Sequence, residues 1–209
     1  MTLQPVILAA GEGTRLRPLT QNRPKALIPV ANKPIIEHTI LSLVEAGIRD
    51  IIVVVGYRKE QVMRHLARLS LPVMIVRQTE QMGTGHALLS AKDKIAGDVI
   101  VLPGDNYIDP VSIRNIAHNK NSLLYTTHKN PSNFGVVTIE NENITSIIEK
   151  PVHANRMTVS CGVYHLSSDI IRRIQTHILS EAIDDEIRNG TKISAIKAQS
   201  WQDAIYPWD

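Results

Sequence analysis

The stretch PVILAAGEGTRLRPLTQNRPKALIPV, residues 5–30, decides how the rest of the chain is read. Its first six residues, PVILAA, are apolar at every position, which suits a strand covered on both faces rather than one with a wet side. At Gly11 the apolar run stops, and a loop follows that holds two closely spaced glycines, Arg15 and, further on, Lys25. Glycines at such a point let backbone N–H groups approach a phosphate, and the two cations supply compensating charge. The spacing matches neither of two familiar phosphate loops. A dinucleotide fingerprint needs a third glycine near Leu16, and a Walker loop needs lysine directly after the second glycine. On glycine and arginine content alone, a strand-to-helix turn with solvated basic side chains reads the same way.

Working outward, apolar runs alternate with helix-like stretches. After PVILAA come a helical pattern at residues 35–46, IIVVV at 51–55, a second helical pattern at 61–69, VMIVR at 73–77 and DVIVL at 98–102. Runs apolar on both faces are what strands covered by helices on each side require, so a mainly parallel sheet is expected, with ligand-holding loops at the strands' carboxyl ends. The later part changes character. SLLYTTH, GVVTIE, ITSIIE and MTVSCGVYHL read as shorter strands joined by Asn-rich turns, which predicts antiparallel additions beside the parallel sheet. Residues 180–189 read as a helix stopped by Gly190, before a last strand at 192–197.

The bulk numbers narrow the function class. A chain of 209 residues with 43% hydrophobic composition is expected to form one domain, residues 1–209, without internal repeat or linker. A net charge of +3 suits an anionic ligand, but the basic residues are scattered and no run resembles a nucleic-acid patch, so no nucleic acid is expected as a partner. Cys161 is the lone cysteine, and the apolar start is too short to span a membrane or serve as a signal peptide. A cytoplasmic address with no membrane partner follows as an expectation.

The segment at residues 8–37 resembles the opening of the sugar-1-phosphate nucleotidylyltransferases, LAAG-x-GTR-x-RPLT followed by PK and a helix start that here reads KPIIE. The resemblance recurs in family order at QTEQMGTGHA (78–87), LPGDN (102–106), FGVV (134–137), IIEKP (147–151) and WQDAIYPWD (201–209). Together with the strand series it implies an α/β fold: a Rossmann-like three-layer sandwich with a mainly parallel mixed sheet and antiparallel additions in the second half. It also implies joining of a nucleoside triphosphate to a hexose 1-phosphate with release of pyrophosphate, assisted by Mg²⁺. Relatives often assemble, so a homo-oligomer is compatible.

The resemblance places the roles position by position. Leu8, Ala10, Gly11, Gly13 and Thr14 line the nucleotide and its triphosphate. Arg15 draws negative charge from the leaving pyrophosphate, and Lys25 holds the α-phosphate; these two are the catalytic pair. Gln78 matches the glutamine that reads a pyrimidine edge, with an amide donor and acceptor side by side, so uracil or thymine is implied. Gly83 would pass close to the base, next to Thr84, while His86 reads as a structural helix-start residue. Asp105 and Asp203 match the two metal-binding aspartates, a sound shell for Mg²⁺ with phosphate oxygens added. Gly135, Glu149 and Lys150 match positions contacting the hexose and its phosphate, and Ser160 stands where the family commonly has asparagine.

The implied reaction is an in-line attack by the sugar phosphate on the α-phosphorus. It needs positioning and charge compensation rather than a general base, because the nucleophile is already anionic. The phrase YPWD at 206–209 resembles members that continue into a left-handed β-helix with acetyltransferase function; that domain and that activity are not expected of this chain. Two other readings stand beside the transferase: a non-catalytic nucleotide-binding regulatory subunit, and a cytidylyltransferase acting on a non-sugar phosphate. UTP against dTTP, and glucose against N-acetylglucosamine type, stay open.

Overall fold

The computed structural model describes residues 3–69 and 71–204; the YPWD phrase lies outside the described residues. The four runs read as covered strands form β1 (Leu3–Ala9), β4 (Ile51–Val55), β5 (Val73–Arg77) and β6 (Asp98–Pro103). They are parallel neighbours in the order β5-β4-β1-β6. Between β1 and β4 lie a two-stranded ribbon, β2 (Pro29–Val30) with β3 (Lys33–Pro34), and helix α1 (Ile35–Glu45); α2 (Lys59–Leu66) and α3 (Thr84–Ser90) are the next two crossovers. The chain builds one way from β1 through β4 to β5, then returns to the other side of β1 as β6. The reversal makes the carboxyl ends of β1 and β6 a topological switch point, where α/β sheets open a crevice.

Side chains alternate across these strands into two cores. Val6, Ile52, Val54, Val99 and Val101 pack with Leu88 of α3 on one face. Ile7, Val53, Val55, Ile100 and Leu102 pack with Ile36 and Ile40 of α1 and Val62 of α2 on the other. The apolar character of both strand faces therefore reflects helices on both, the three layers expected. Fully burying each such side chain contributes about 1.5–3 kcal/mol.

The second half continues the sheet through β8 (Ser122–Thr127), β9 (Gly135–Glu140), β10 (Asn143–Glu149), β11 (Thr158–Leu166) and β12 (Ile193–Lys197), giving nine strands in the order β5-β4-β1-β6-β11-β8-β12-β10-β9. β11 runs antiparallel to β6 and β8, and β10 antiparallel to β9 and β12, as expected of this part. β12 departs from that pattern by running parallel to β8. Parallel neighbours need a long connection, and here the chain passes through β9, β10, β11, α5 (Ser168–Arg173) and α6 (Leu179–Arg188) before β12 returns beside β8.

Several short elements escape the sequence reading, and two of them bear on the site. α4 (Pro110–Ala117) follows β7 (Asn106–Ile108), and β13 (Trp201–Asp203) returns to pair antiparallel with β7 in a small separate sheet. α4 is capped by Asp109, whose carboxylate accepts from Ser112 N at 2.9 Å and Ser112 Oγ at 2.5 Å. The same carboxylate accepts from Ser200 N at 2.9 Å, so the helix cap also grips the lead into β13. Among the described residues no helix is long and apolar enough to cross a membrane.

Candidate active site

A cavity of about 730 Å³ opens at the switch point and adjoins a recess of about 290 Å³ with which it shares Leu8, Gly11, Arg15, Lys25, Asp105 and Lys150. The recess adds Gly13 and Thr14. The larger cavity adds Ala10, Gln78, Gly83, Thr84, Gly135, Glu149, Ser160 and Asp203. Every site residue named from the sequence thus lines one continuous hollow.

The loop after β1 is shaped by Gly13. Its φ of 72° lies in the left-handed region, and a Cβ there would sit 2.6 Å from Lys25 Cβ. Thr20, fully buried, donates from Oγ1 to the Gly13 carbonyl at 2.8 Å, and Arg17 pairs with Glu12. From outside, Arg58 Nη2 donates to the Gln21 carbonyl and Gln61 Nε2 to the Asn22 carbonyl, both at 3.1 Å, tethering the loop to the start of α2. Arg15 is exposed on this loop and forms no ion pair among the described residues.

Lys25 reaches across the hollow to Asp105, with Nζ 2.6 Å from Oδ2. Asp105 follows β6, and Asp203, buried at the end of β13, pairs in register with Asn106. The β7–β13 pairing therefore carries the two aspartates, far apart in the chain, to one wall. Asn106 ties the wall together in the amide orientation that satisfies both its ends. Its nitrogen donates to Asp105 Oδ1 at 3.0 Å, and its oxygen accepts from Trp201 Nε1 at 3.1 Å. Among the described residues no cluster of three or more His, Cys, Asp or Glu side chains forms a self-sufficient metal cage. Two carboxylates on one cavity wall would suit a cation that takes its remaining ligands from phosphate and water.

The opposite end is built by the turn before α3. Gln78 is buried just after β5, and its backbone N donates to the Val55 carbonyl at 2.8 Å. Its Nε2 donates to the Gly83 carbonyl at 3.1 Å and lies 2.9 Å from His86 Nδ1. The expectation that Gln78 offers donor and acceptor side by side is therefore revised: both amide hydrogens are engaged within the protein, and Oε1 is the group available to a ligand. Gly83 also has a reason within the protein for being glycine, beside the expected approach of a base. Its φ is 125°, and a Cβ would lie 2.4 Å from the His177 carbonyl oxygen.

Glu149 ends β10, with Oε2 accepting from Ser180 Oγ at 2.7 Å and Oε1 2.8 Å from Lys150 Nζ. A Cβ on Gly135 would come within 3.3 Å of Glu149 Oε2, so the small residue leaves the carboxylate its place. Ser160 Oγ accepts from Gly162 N at 3.0 Å and bonds the buried Tyr164 hydroxyl, whose ionisation is pushed well above its ordinary range by burial. Cys161 is buried, and burial likewise raises its thiol far above the usual range, which favours the neutral thiol over the thiolate. Sequence reasoning missed Ser180, which holds Glu149, along with Gln81 and Asn106 on the cavity wall. Ser180 sits in a helical turn with no local motif, and only the packing of α6 beside β10 brings it to the site.

Fold and site together define an α/β protein with a glycine loop, basic side chains and two aspartates around a cavity at its sheet's switch point. The chain matches the nucleotidyl transferase family over residues 4–204 and belongs to that family. It is 35% identical to the bifunctional protein GlmU of Methanococcus maripaludis over 98% of this chain and 52% of that one. The chain thus spans about half the length of such curated relatives. It is also 34% identical to the UTP–glucose-1-phosphate uridylyltransferase AglF of Haloferax volcanii, over 99% of this chain and 93% of that one. A solved structure from Bacillus anthracis, assigned as a glucose-1-phosphate thymidylyltransferase, superposes with a TM-score of 0.85 at 23% identity, covering 99% of this chain and 92% of its own, which establishes the shared fold.

Proposed function

We propose that the chain is a sugar-1-phosphate nucleotidylyltransferase that converts UTP or dTTP and a hexose 1-phosphate, of glucose or N-acetylglucosamine type, into a nucleotide-sugar and pyrophosphate. The observation that carries this reading is the convergence, in one hollow, of a glycine loop with Arg15, the Lys25–Asp105 contact, Asp203 and the Glu149–Lys150 pair. The relatives' activities, and the full-length match to AglF above all, support it.

In this reading the triphosphate lies along the loop after β1, where backbone N–H groups near Gly11 and Gly13 and the Arg15 guanidinium meet its charge. Lys25 holds the α-phosphate between that loop and the incoming sugar phosphate, two anions that would otherwise repel. Lys150 neutralises the sugar phosphate, and Glu149, fixed by Ser180, accepts from ring hydroxyls. The sugar phosphate oxygen forms a bond to the α-phosphorus as the bond to pyrophosphate breaks, without a covalent enzyme intermediate. Asp105 and Asp203 would hold Mg²⁺, which when bound supplies charge neutralisation at the phosphates.

The test is to incubate the chain with Mg²⁺ and each pairing of five nucleoside triphosphates with a panel of hexose 1-phosphates, and to identify the nucleotide-sugar by mass. A uridine or thymidine sugar is expected, and Asp105→Ala is expected to abolish it. Product formed only with CTP and a non-sugar phosphate, or product undiminished in Asp105→Ala, would overturn the reading.

A further inference from the structure

His86 contacts a residue of the base end of the hollow but has no part in the transfer chemistry. It lies in the first turn of α3, with its backbone N 3.2 Å from the His177 carbonyl and its ring edge-on to the His177 ring, centroids 5.9 Å apart. Its Nδ1 stands 2.9 Å from Gln78 Nε2. An amide nitrogen can only donate, so Nδ1 is the acceptor and the ring carries its proton on Nε2. The second Gln78 amide hydrogen goes to the Gly83 carbonyl at 3.1 Å. Rotating the amide by half a turn would set Oε1 against the Gly83 carbonyl and would require the His86 ring to move its proton to Nδ1, inside a residue only 6% exposed.

We propose that His86 is a positioning residue that locks the Gln78 amide so that Gln78 turns its acceptor, Oε1, toward a base. An acceptor facing ring position 3 suits uracil and thymine, which carry N–H there, and repels cytosine, which presents a lone pair. His86 acts through Gln78 and sets which pyrimidine is taken. This rests on the cavity being the nucleotide site of the reading above.

Replacing His86 by leucine removes one of the two acceptors and frees the amide to turn; replacing it by asparagine keeps an acceptor, Oδ1, in the place of Nδ1. Calorimetric affinities for CTP and for the tighter binding of UTP and dTTP are to be compared in wild type, His86→Leu and His86→Asn. His86→Leu is expected to lose about tenfold of the preference over CTP, the worth of one buried hydrogen bond, while His86→Asn keeps most of it. A ¹⁵N spectrum of the wild-type histidine is expected to show Nδ1 unprotonated and Nε2 protonated, a readout that holds even if the leucine variant fails to fold. An unchanged preference in His86→Leu, no preference in wild type, or a proton on Nδ1 would overturn the inference. A wild type that keeps the preference yet makes no nucleotide-sugar would instead overturn the transferase reading and leave the role of His86 standing.

Discussion

An ammonium held 2.6 Å from a carboxylate, with Lys25 only 14% exposed and Asp105 34%, is a contact that bound phosphate and a cation would share out between them. Arg15, by contrast, is exposed and unpaired among the described residues, so its removal costs the fold little and falls on chemistry. Arg15→Ala is expected to lower kcat by about 10²–10³-fold with an unchanged melting temperature, as loss of a group that stabilises developing charge does. Steady-state kinetics beside a thermal melt check it. At this scale the sequence reveals residue types and their order but not their partners. Gln78 is legible as an amide near a glycine turn. That its two hydrogens are taken by Gly83 and His86 depends on how the 78–86 segment folds back on itself, and no spacing rule states that.

Asp109 shows how one element places another. Burial alone would push its carboxyl up, yet hydrogen bonds from Ser112 and Ser200 outweigh this and hold it below the usual carboxylate range. Ser112 Oγ in turn accepts from Gln199 N at 2.8 Å, so the cap of α4 grips the two residues that lead into β13 and Asp203. Asp109→Ala is expected to cost about 0.5–2 kcal/mol as a lost cap and, in addition, to raise the Mg²⁺ concentration needed for half-maximal turnover. Asp109→Asn, a good cap that keeps one acceptor, is expected to recover most of the stability; denaturant unfolding and a Mg²⁺ titration separate the two effects. The parallel strands are legible because burial on both faces leaves every position apolar. α4 has its own start signal, Asp109 followed by Pro110 at the first helical turn, but its eight residues lie between strand-like runs and are too few for a clear helical period. β13 is not legible at all: Trp201, Gln202 and Asp203 have no period, and only pairing with β7 makes them a strand.

Across the molecule, the sheet's reversal at β1 gathers a loop from residues 11–25, an acidic wall from the end of β6 and the chain's last described strand, and a Gly135–Glu149 end from β9 and β10. That gathering explains why the candidate site was recoverable only through a resemblance spread along the whole chain, since topology, not local pattern, pairs Asp105 with Asp203. Stability at this scale has a definite acid limb. Arg173 donates from Nε to Glu186 Oε1 at 2.9 Å and from Nη2 to Oε2 at 2.5 Å, and this pairing holds the Glu186 carboxyl below its ordinary value. A depressed folded-state value stabilises the native state above the unfolded glutamate range and is lost as pH falls through the folded value. Unfolding free energy is therefore expected to drop below about pH 4.5, and less steeply in Glu186→Gln, which is already weaker at neutral pH. Whether the gathered residues form one transfer site is read from pyrophosphate release in the presence of the nucleotide alone, the sugar phosphate alone, and both with Mg²⁺. Release that requires both substrates and vanishes in Asp105→Ala is the expected result. Release from the nucleotide alone at the same rate, or none from any pair while the nucleotide binds, would contradict it.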